Sequence, residues 1–249
     1  MWKTTVVFIV LGLVLGGCNA VLNQKGEQMY KKYQVQRANG PVRLDGKWDQ
    51  GPWKGVEALD IKNFTGSEPD HKPKTEAKVL YDDDYIYVFF RVEDKYVQAV
   101  ARNYQDDVWL DSCVEFFFTP SGDISEGYFN IEINCGGTML FKHQTLRGVN
   151  VVAVENSDCD RVRIYHSEPK IVDPEKKEPT TWVIEYRLPI DVLEKYAPVT
   201  RPAPGVVWLA NFQKCAGKTS HPHGLTWSLI DTPRPDFHRP EFFGTLEFK

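Results

Sequence analysis

Apolar runs of strand length, separated by turn residues, recur from Pro41 to the C-terminus, and no other feature constrains the fold as strongly. Prolines and glycines fall mostly between these runs, where turns require them. The run Tyr85–Val92 is apolar on both faces, which is typical of a strand in the middle of a sandwich. The pattern predicts an all-β fold, an antiparallel β-sandwich of the immunoglobulin or jelly-roll kind.

The expected elements follow from the same runs. One short helix is predicted over Ile190–Tyr196, between Pro189 and Pro198. Trp53 and Trp182 lie in patterned segments and are predicted to be buried. The expected strands are Glu76–Tyr81, Tyr85–Val92, Cys113–Thr119, Tyr128–Asn134, Arg161–Tyr165, Thr181–Leu188, Val206–Phe212, Leu225–Leu229 and Gly244–Phe248.

Trp109 is the residue that says most about function. It stands in a polar run with aspartates on both sides, directly before an aromatic strand, whereas a core tryptophan normally lies in an apolar periodic segment. A flat apolar ring beside hydrogen-bond acceptors suits a sugar, whose C–H face stacks while its hydroxyls donate. The alternative is a loop tryptophan that folds back over the core as a lid.

The first residues carry an export signal. Val6–Leu15 is an apolar run that is too short, and too interrupted by glycine, for a membrane-spanning helix. The following Leu15-Gly-Gly-Cys18 resembles the lipobox of bacterial lipoproteins, which predicts cleavage before Cys18 and lipidation of its thiol. We therefore expect a signal peptide over 1–17, a spacer over 18–38 and a domain over 39–249. The expected location is the bacterial cell envelope, with the outer membrane favoured.

Charge and cysteine content exclude several classes. A net charge of −4 without a basic stripe disfavours nucleic acid as a partner. Besides Cys18 there are Cys113, Cys135, Cys159 and Cys215, with no C-x-x-C pair, so no metal site is predicted. Export permits two disulfides of unknown connectivity, but for Cys113 and Cys135 a buried free thiol is the commoner state.

Five motifs in order carry a family resemblance. The chain resembles family-9 carbohydrate-binding modules and their broader relatives with DOMON-like β-sandwiches, from about Pro41 to the C-terminus. The motifs are Val42-Arg-Leu-Asp-Gly46, Trp53, Val79-Leu-Tyr-Asp-Asp-Asp-Tyr-Ile-Tyr-Val88, Trp109-Leu-Asp-Ser-Cys-Val-Glu115 and Pro240-Glu-Phe-Phe-Gly244.

The resemblance implies a site. In that family two aromatic rings clamp a sugar, and the clamp positions fall on Trp109 and Phe237. The family's polar contacts fall on Glu115, Glu132 and Asn211. The expected function is non-catalytic binding of a glycan by a membrane-anchored lipoprotein, in association with glycoside hydrolases.

The chain departs from the family at two of these positions. The family has a basic residue at the position of Glu132 and a tryptophan at the position of Phe237. His238 and Arg102 are additional candidates at the edge of the site. The fold therefore transfers more safely than the ligand.

A glycosidase is one alternative. Glu115 and Glu132 lie on neighbouring strands of a predicted hairpin, which would place both carboxyls on one face. Close carboxylates raise one another's pKa and could act as acid and base. Sugar-binding sites also use carboxylates as plain acceptors, and the chain has no G-x-S-x-G motif, so we predict that it is not an enzyme.

No cofactor is expected, with two alternatives left open. Haem would need an axial ligand, for which Met139, with Lys142 and His143 nearby, is the available group. Structural calcium is the other, through acidic residues that are more often merely solvated. The His221-Pro-His223 pair lies in a predicted loop that displays both rings at random. The acidic residues are Asp45, Asp49, Asp82, Asp83 and Asp84.

Overall fold

Side chains that alternate along the strands give two layers, each with an inner and an outer face. The structure, a computed structural model, describes residue 1 and residues 31–249. The predicted signal peptide, the lipobox and Cys18 lie outside the described residues. Across the described part, no helix is both long enough and apolar enough to cross a membrane.

Strands dominate the described residues. The helices are α1 (Asn156–Cys159) and α2 (Ile190–Leu193), with 3-10 turns at Gly51–Trp53, Val108–Leu110, Ile124–Glu126 and Pro240–Phe242. The strands are β1 (Lys32–Arg37), β2 (Leu59–Asp60), β3 (Lys74–Tyr81), β4 (Tyr85–Asp94), β5 (Val97–Ala99), β6 (Cys113–Thr119), β7 (Tyr128–Asn134), β8 (Met139–Gln144), β9 (Val152–Ala153), β10 (Arg163–His166), β11 (Val172–Lys176), β12 (Thr180–Pro189), β13 (Val207–Ala216), β14 (His223–Thr226) and β15 (Gly244–Phe248).

Strand β1 joins the two layers into one continuous sheet. The first layer has the order β10-β12-β4-β3, with β2 also on β3. The second has the order β15-β13-β6-β7-β8-β9, with β14 also on β13. Lys32–Val35 pair in parallel with β15, and Gln36–Arg37 pair in parallel with β3. Strands β5 and β11 form a separate pair.

This arrangement corrects two predictions. The spacer predicted over 18–38 is wrong for Lys32–Arg37, since β1 belongs to the sandwich. The sheet is therefore mixed and not wholly antiparallel, because both neighbours of β1 are parallel to it. Only Tyr33 and Val35 are buried in this polar strand, which is too weak an alternation to read from sequence.

Most predicted strands are confirmed. Cys113–Thr119, Tyr128–Asn134 and Gly244–Phe248 have the predicted bounds. The predicted helix forms but ends at Leu193. The strands β1, β2, β5, β8, β9 and β11 and the helix α1 were not predicted. Several of these are two or three residues long and are defined by a partner strand more than by their own pattern.

The core lies between the layers. The rings of Phe90 on β4 and Phe212 on β13 face each other with centroids 6.0 Å apart. Trp182 is 0 % exposed and Trp53 is 1 % exposed, as predicted. All four cysteines of the described chain are buried free thiols, which confirms that prediction for Cys113 and Cys135.

The two outer faces are treated differently. On the first layer, the segment that contains Trp53 covers the face, and the Trp53 indole Nε1 donates to Glu185 Oε1 at 2.8 Å. On the second layer, the outer face of β13, β6 and β7 is only partly covered by loops. The cleft that remains there contains most of the predicted site.

Candidate functional site

A cleft of about 720 Å³ lies over the outer face of β13, β6 and β7. It brings together five of the seven predicted binding residues, which are Trp109, Glu115, Glu132, Phe237 and His238. Its walls are the Trp109 turn, the loop before β15, and the segment 64–70. The resemblance thus predicted the location of the cleft and most of its floor.

Trp109 is held with its ring facing the cleft. It is 45 % exposed, as predicted, and it lies in the 3-10 turn that precedes β6. A Cβ atom at Gly217 would lie 3.2 Å from ring atoms Cε3 and Cζ3, so the indole rests closely on this glycine. The Gly217 amide donates to the Trp109 carbonyl at 3.0 Å, which fixes the turn against the end of β13.

The Trp109 turn is anchored from below by Asp111. This side chain is 1 % exposed, and its Oδ2 accepts from the amides of Val100 and Ala101, each at 3.0 Å. Oδ2 also accepts from Asn134 Nδ2 at 2.8 Å. The aspartate that follows Trp109 in the sequence is therefore a structural residue and not a ligand group.

Phe237 lies opposite in the loop before β15 and is half-buried. A Cβ atom at Gly224 would lie 3.1 Å from the ring atom Cζ of Phe237. Asp236 Oδ1 accepts from the His238 amide at 3.0 Å and pairs with Arg147 Nη1 at 3.0 Å, so both sides of the loop are held. Because Gly217 follows β13 and Gly224 lies in β14, one hairpin supports both aromatic rings.

Glu115 and Glu132 form the floor as a directly opposed pair on β6 and β7. This confirms that the hairpin places both carboxyls on one face. Both are buried, at 2 % and 4 % exposure. Glu115 Oε1 accepts from the thiol of Cys215 at 2.9 Å, and Glu132 Oε1 accepts from Asn130 Nδ2 at 2.9 Å.

Burial alters the protonation of this floor. The pKa of Glu115 is well above its usual range because of burial, with the nearby acidic groups Cys215 and Glu132 adding to the effect. Burial raises the pKa of Glu132 to about 7, although the Asn130 amide opposes the shift. A carboxyl that keeps its proton can donate as well as accept a hydrogen bond.

His238 completes the polar wall. Its Nδ1 lies 2.9 Å from the Tyr128 hydroxyl. Burial, assisted by the charge of Arg147, lowers the pKa of His238 to about 4, so the ring is neutral at neutral pH. The site therefore offers uncharged donors and acceptors on one side and aromatic surface on the other.

The structure places two predicted residues elsewhere. Asn211 is fully buried on β13, where its Nδ2 donates to the Ser228 carbonyl at 2.9 Å and its Oδ1 accepts from two backbone amides. It does not line the cleft. Arg102 lines a different cavity of about 500 Å³, together with Arg163 and Lys170. The prediction that these two residues contact a ligand in the Trp109 cleft is therefore wrong.

Other cleft residues were not predicted. Asp236 and Arg147 were missed, although Asp236 adjoins the predicted Phe237. The segment 64–70 was missed because long-range contacts hold it there, such as the bond from Thr65 Oγ1 to the Ile230 carbonyl at 2.7 Å. The cleft also contains Glu68 and Asp70, so its unpredicted wall is acidic.

The histidine pair 221 and 223 is ordered, which corrects the expectation of random display. His223 Nε2 accepts from the buried Lys214 ammonium at 2.7 Å. His221 stacks on Tyr96 with ring centroids 3.6 Å apart. The pair belongs to the fold at the end of the sandwich.

The predicted calcium acids are occupied by protein groups. Asp83 pairs with Arg37 at 2.6 Å, and Asp49 pairs with Lys78 at 2.7 Å. Asp82 accepts from two backbone amides and from the Tyr87 hydroxyl. Calcium at these positions stays a prediction, as does haem.

The fold and cleft together define a class: a β-sandwich with an aromatic-walled, carboxyl-floored cleft on one outer face. The profile of carbohydrate-binding family 9 matches residues 53–248. The chain belongs to this family. Its modules are non-catalytic, which confirms the prediction that the protein is not an enzyme.

Solved structures agree with the family. A candidate carbohydrate-binding protein from Bacteroides uniformis ATCC 8492 is similar at 27 % identity and a TM-score of 0.77, over 88 % of this chain and 99 % of that one. A family-9 module from Caldicellulosiruptor kristjanssonii in complex with cellotriose shares the fold at 15 % identity and a TM-score of 0.59, over 88 % and 94 % of the chains. The same organism's module in complex with glucose gives 15 % and 0.57, over 88 % and 96 %. No curated protein sequence matches this chain.

Proposed function

We propose that this protein binds a glycan without chemistry, with one sugar ring between Trp109 and Phe237 and hydrogen bonds from Glu115, Glu132 and His238. One observation carries the proposal. Two aromatic side chains, each set against a glycine of the same hairpin, line one cleft above a buried carboxyl pair. Rings fixed in this way offer a stacking surface that loses little freedom on binding.

The charges of the cleft favour a neutral sugar. Glu68, Asp70 and Asp236 are acidic, and the guanidinium of Arg147 is already paired with Asp236 at 3.0 Å. A uronic acid would bring its carboxylate into this field and would lose solvation without gaining a free cation. The complexes of the Caldicellulosiruptor kristjanssonii module with cellotriose and glucose support a neutral gluco-configured ligand.

The test is a glycan array with a soluble form of residues 19–249. This form must include β1, because Lys32–Arg37 join the two layers. We expect binding to neutral gluco-oligosaccharides, weaker binding to oligouronates, and loss of binding in Trp109→Ala. A folded protein that binds no glycan, or that binds equally well without Trp109, would refute the proposal.

We also propose that the domain is tethered to the outer membrane by lipid on Cys18 and serves glycoside hydrolases that act on the bound glycan. The lipobox-like Leu15-Gly-Gly-Cys18 supports this. We expect Cys18→Ala to accumulate as an unprocessed precursor that no longer partitions into detergent. Wild-type protein that is unlipidated in the same phase-partition assay would contradict the anchor while leaving the glycan site untouched.

A further inference from the structure

Two thiols and a carboxyl converge on the floor of the cleft. Cys113 on β6 and Cys215 on β13 are directly opposed across the two strands. Glu115 lies on the same face of β6, with Oε1 2.9 Å from Cys215 Sγ. The two Sγ atoms and a Glu115 carboxylate oxygen all lie within 4.8 Å of one another. All three residues are buried, at 0 %, 8 % and 2 % exposure.

The other two buried thiols of the described chain have ordinary surroundings. The thiol of Cys135 donates to the Gln98 carbonyl at 3.5 Å, and that of Cys159 donates to the Val154 carbonyl at 3.5 Å. Neither belongs to a comparable cluster of potential ligands among the described residues. Filling space with a small apolar side chain therefore accounts for Cys135 and Cys159, whereas it does not account for two thiols grouped with a buried carboxyl.

The surroundings of the cluster are acidic. Glu132 lies directly opposite Glu115, so four acidic groups share this floor. Buried acidic groups without a cation must keep their protons, and a bound cation would replace those protons. The Lys214 ammonium does not serve this purpose, because it is bonded to His223 and lies 3.5 Å from Asp94.

We propose that Cys113, Cys215 and Glu115 form a binding site for a divalent transition-metal ion of the zinc class. Two thiolates and one carboxylate are ligands that zinc accepts in tetrahedral sites, and they are poor ligands for calcium or magnesium. The fourth position faces the cleft, which Glu115, Cys215 and Glu132 all line. Binding exchanges protons for the ion: the two S–H groups and the carboxyl lose their protons to solvent, and no redox step is involved.

The donor separations suit such an ion. Zinc binds sulfur at about 2.3 Å and carboxylate oxygen at about 2.0–2.2 Å, so tetrahedral donors lie roughly 3.3–3.8 Å apart. The cluster spans this range, between the 2.9 Å Cys215–Glu115 contact and the 4.8 Å limit. Rotation of the side chains is enough to adjust the distances, since both strands are fixed by the ladder.

The test uses Co²⁺ as a spectroscopic substitute for Zn²⁺ in the purified full-length protein, kept reduced in detergent under argon. We expect thiolate-to-cobalt charge-transfer bands and tetrahedral d–d bands that saturate at one ion per chain and vanish on addition of Zn²⁺. Cys113→Ser and Cys215→Ser should lose the charge-transfer intensity. The matched controls Cys135→Ser and Cys159→Ser should keep it.

A second measurement covers variants that fold poorly. Zn²⁺ at a hundredfold excess over its Kd should raise the Tm of the wild type and of Cys135→Ser by roughly 5–10 °C. In Glu115→Gln the thiols remain, so the cobalt bands should persist with at least about tenfold weaker affinity, as expected on loss of one ligand.

Three results would overturn the proposal. The first is the absence of charge-transfer bands in reduced wild type, and the second is their persistence when Cys113 and Cys215 are both serine. The third is a Cys113–Cys215 disulfide found by mass spectrometry in protein isolated from its host. None of these depends on glycan binding, so the metal site and the sugar site succeed or fail separately.

Discussion

The two outer faces of the sandwich each carry a tryptophan and a buried glutamate, yet only one face is left open. On the first layer, Trp53 is 1 % exposed and donates to Glu185, whose other oxygen accepts from the amides of Asp45 and Gly46 at 2.9 and 2.8 Å. On the second layer, Trp109 is 45 % exposed and makes no such bond to Glu115 among the described contacts.

The comparison shows how a structural tryptophan differs from one that is available to a ligand. Glu185 receives one indole and two backbone donors, all charge-assisted when it is ionised, so the face is closed and satisfied. Glu115 receives only a thiol, which is a weak donor. Its hydrogen-bonding capacity is left for a group that enters the cleft. The predictions below test that contrast.

Trp53→Ala should have the largest effect on stability. The substitution opens a cavity under the N-terminal segment and removes the indole donor from Glu185, so we expect a loss of about 3–5 kcal/mol in the free energy of unfolding. Urea unfolding followed by circular dichroism measures it. The folded fraction should bind glycan with unchanged Kd. A loss below that of Trp109→Ala would break the comparison.

The same substitution at the two buried glutamates should act in opposite directions. At pH 8, Glu185→Gln should be destabilising, because an amide nitrogen would then face a donor that the carboxylate accepts from. Glu132→Gln should be stabilising, by on the order of 2 kcal/mol, because it removes a carboxyl that must ionise in a buried site.

The pH dependence gives the sign for Glu132. Its pKa is about 7 in the folded protein against an ordinary 4.5. Between these values the unfolded chain has lost the proton that the folded chain keeps, so stability falls as pH rises from 4.5 to 7. Glu132→Gln should flatten this part of the curve, and the exposed control Glu178→Gln should leave it unchanged. Equal slopes in wild type and Glu132→Gln would show that the floor is already ionised.

The contrast between the faces was only partly predictable from sequence. Trp53 and Trp109 are distinguished by local pattern, since Trp109 lies among aspartates at the mouth of a strand. The partner of Trp53 was not predictable, because Glu185 is 132 residues away and meets it only through the fold. Alternation along the strands located Glu115 and Glu132 on one face, since side chains two apart share a side.

The errors have a common physical cause. Asn211 was assigned to the site by position in the family pattern, but here its amide closes a buried backbone network with Ser228. Arg102 lies close in sequence to Trp109 and yet lines another cavity. Loops reach a site through contacts far away in sequence, and β1 is fixed by β15 and β3, so neither is written in the local pattern.

Trp109→Ala should remove binding with little effect on the fold. The ring rests on Gly217 and is largely exposed, so we expect the stability to change by about 1 kcal/mol or less. Loss of the stacking surface should raise the glycan Kd about tenfold or more, equivalent to about 1.4 kcal/mol. Calorimetric titration measures it, and Trp109→Phe should retain part of the affinity. A glycosidase would be revealed if the wild type hydrolysed the glycan and Glu115→Gln abolished turnover while it still bound.

Phe237→Ala should have the smallest effect, because its ring is smaller and half-buried. Phe237 also packs against Val108, Leu140 and Cys215, so alanine alters packing as well as the cleft surface. Phe237→Leu separates the two contributions, since leucine keeps apolar contact but has no flat face. We expect Leu to preserve the Tm and to raise the Kd by roughly two- to threefold, about 0.5 kcal/mol, with Ala somewhat worse in both. If Leu binds as tightly as wild type, Phe237 serves like Trp53 to close the fold, and Trp109 alone provides the aromatic surface for the sugar.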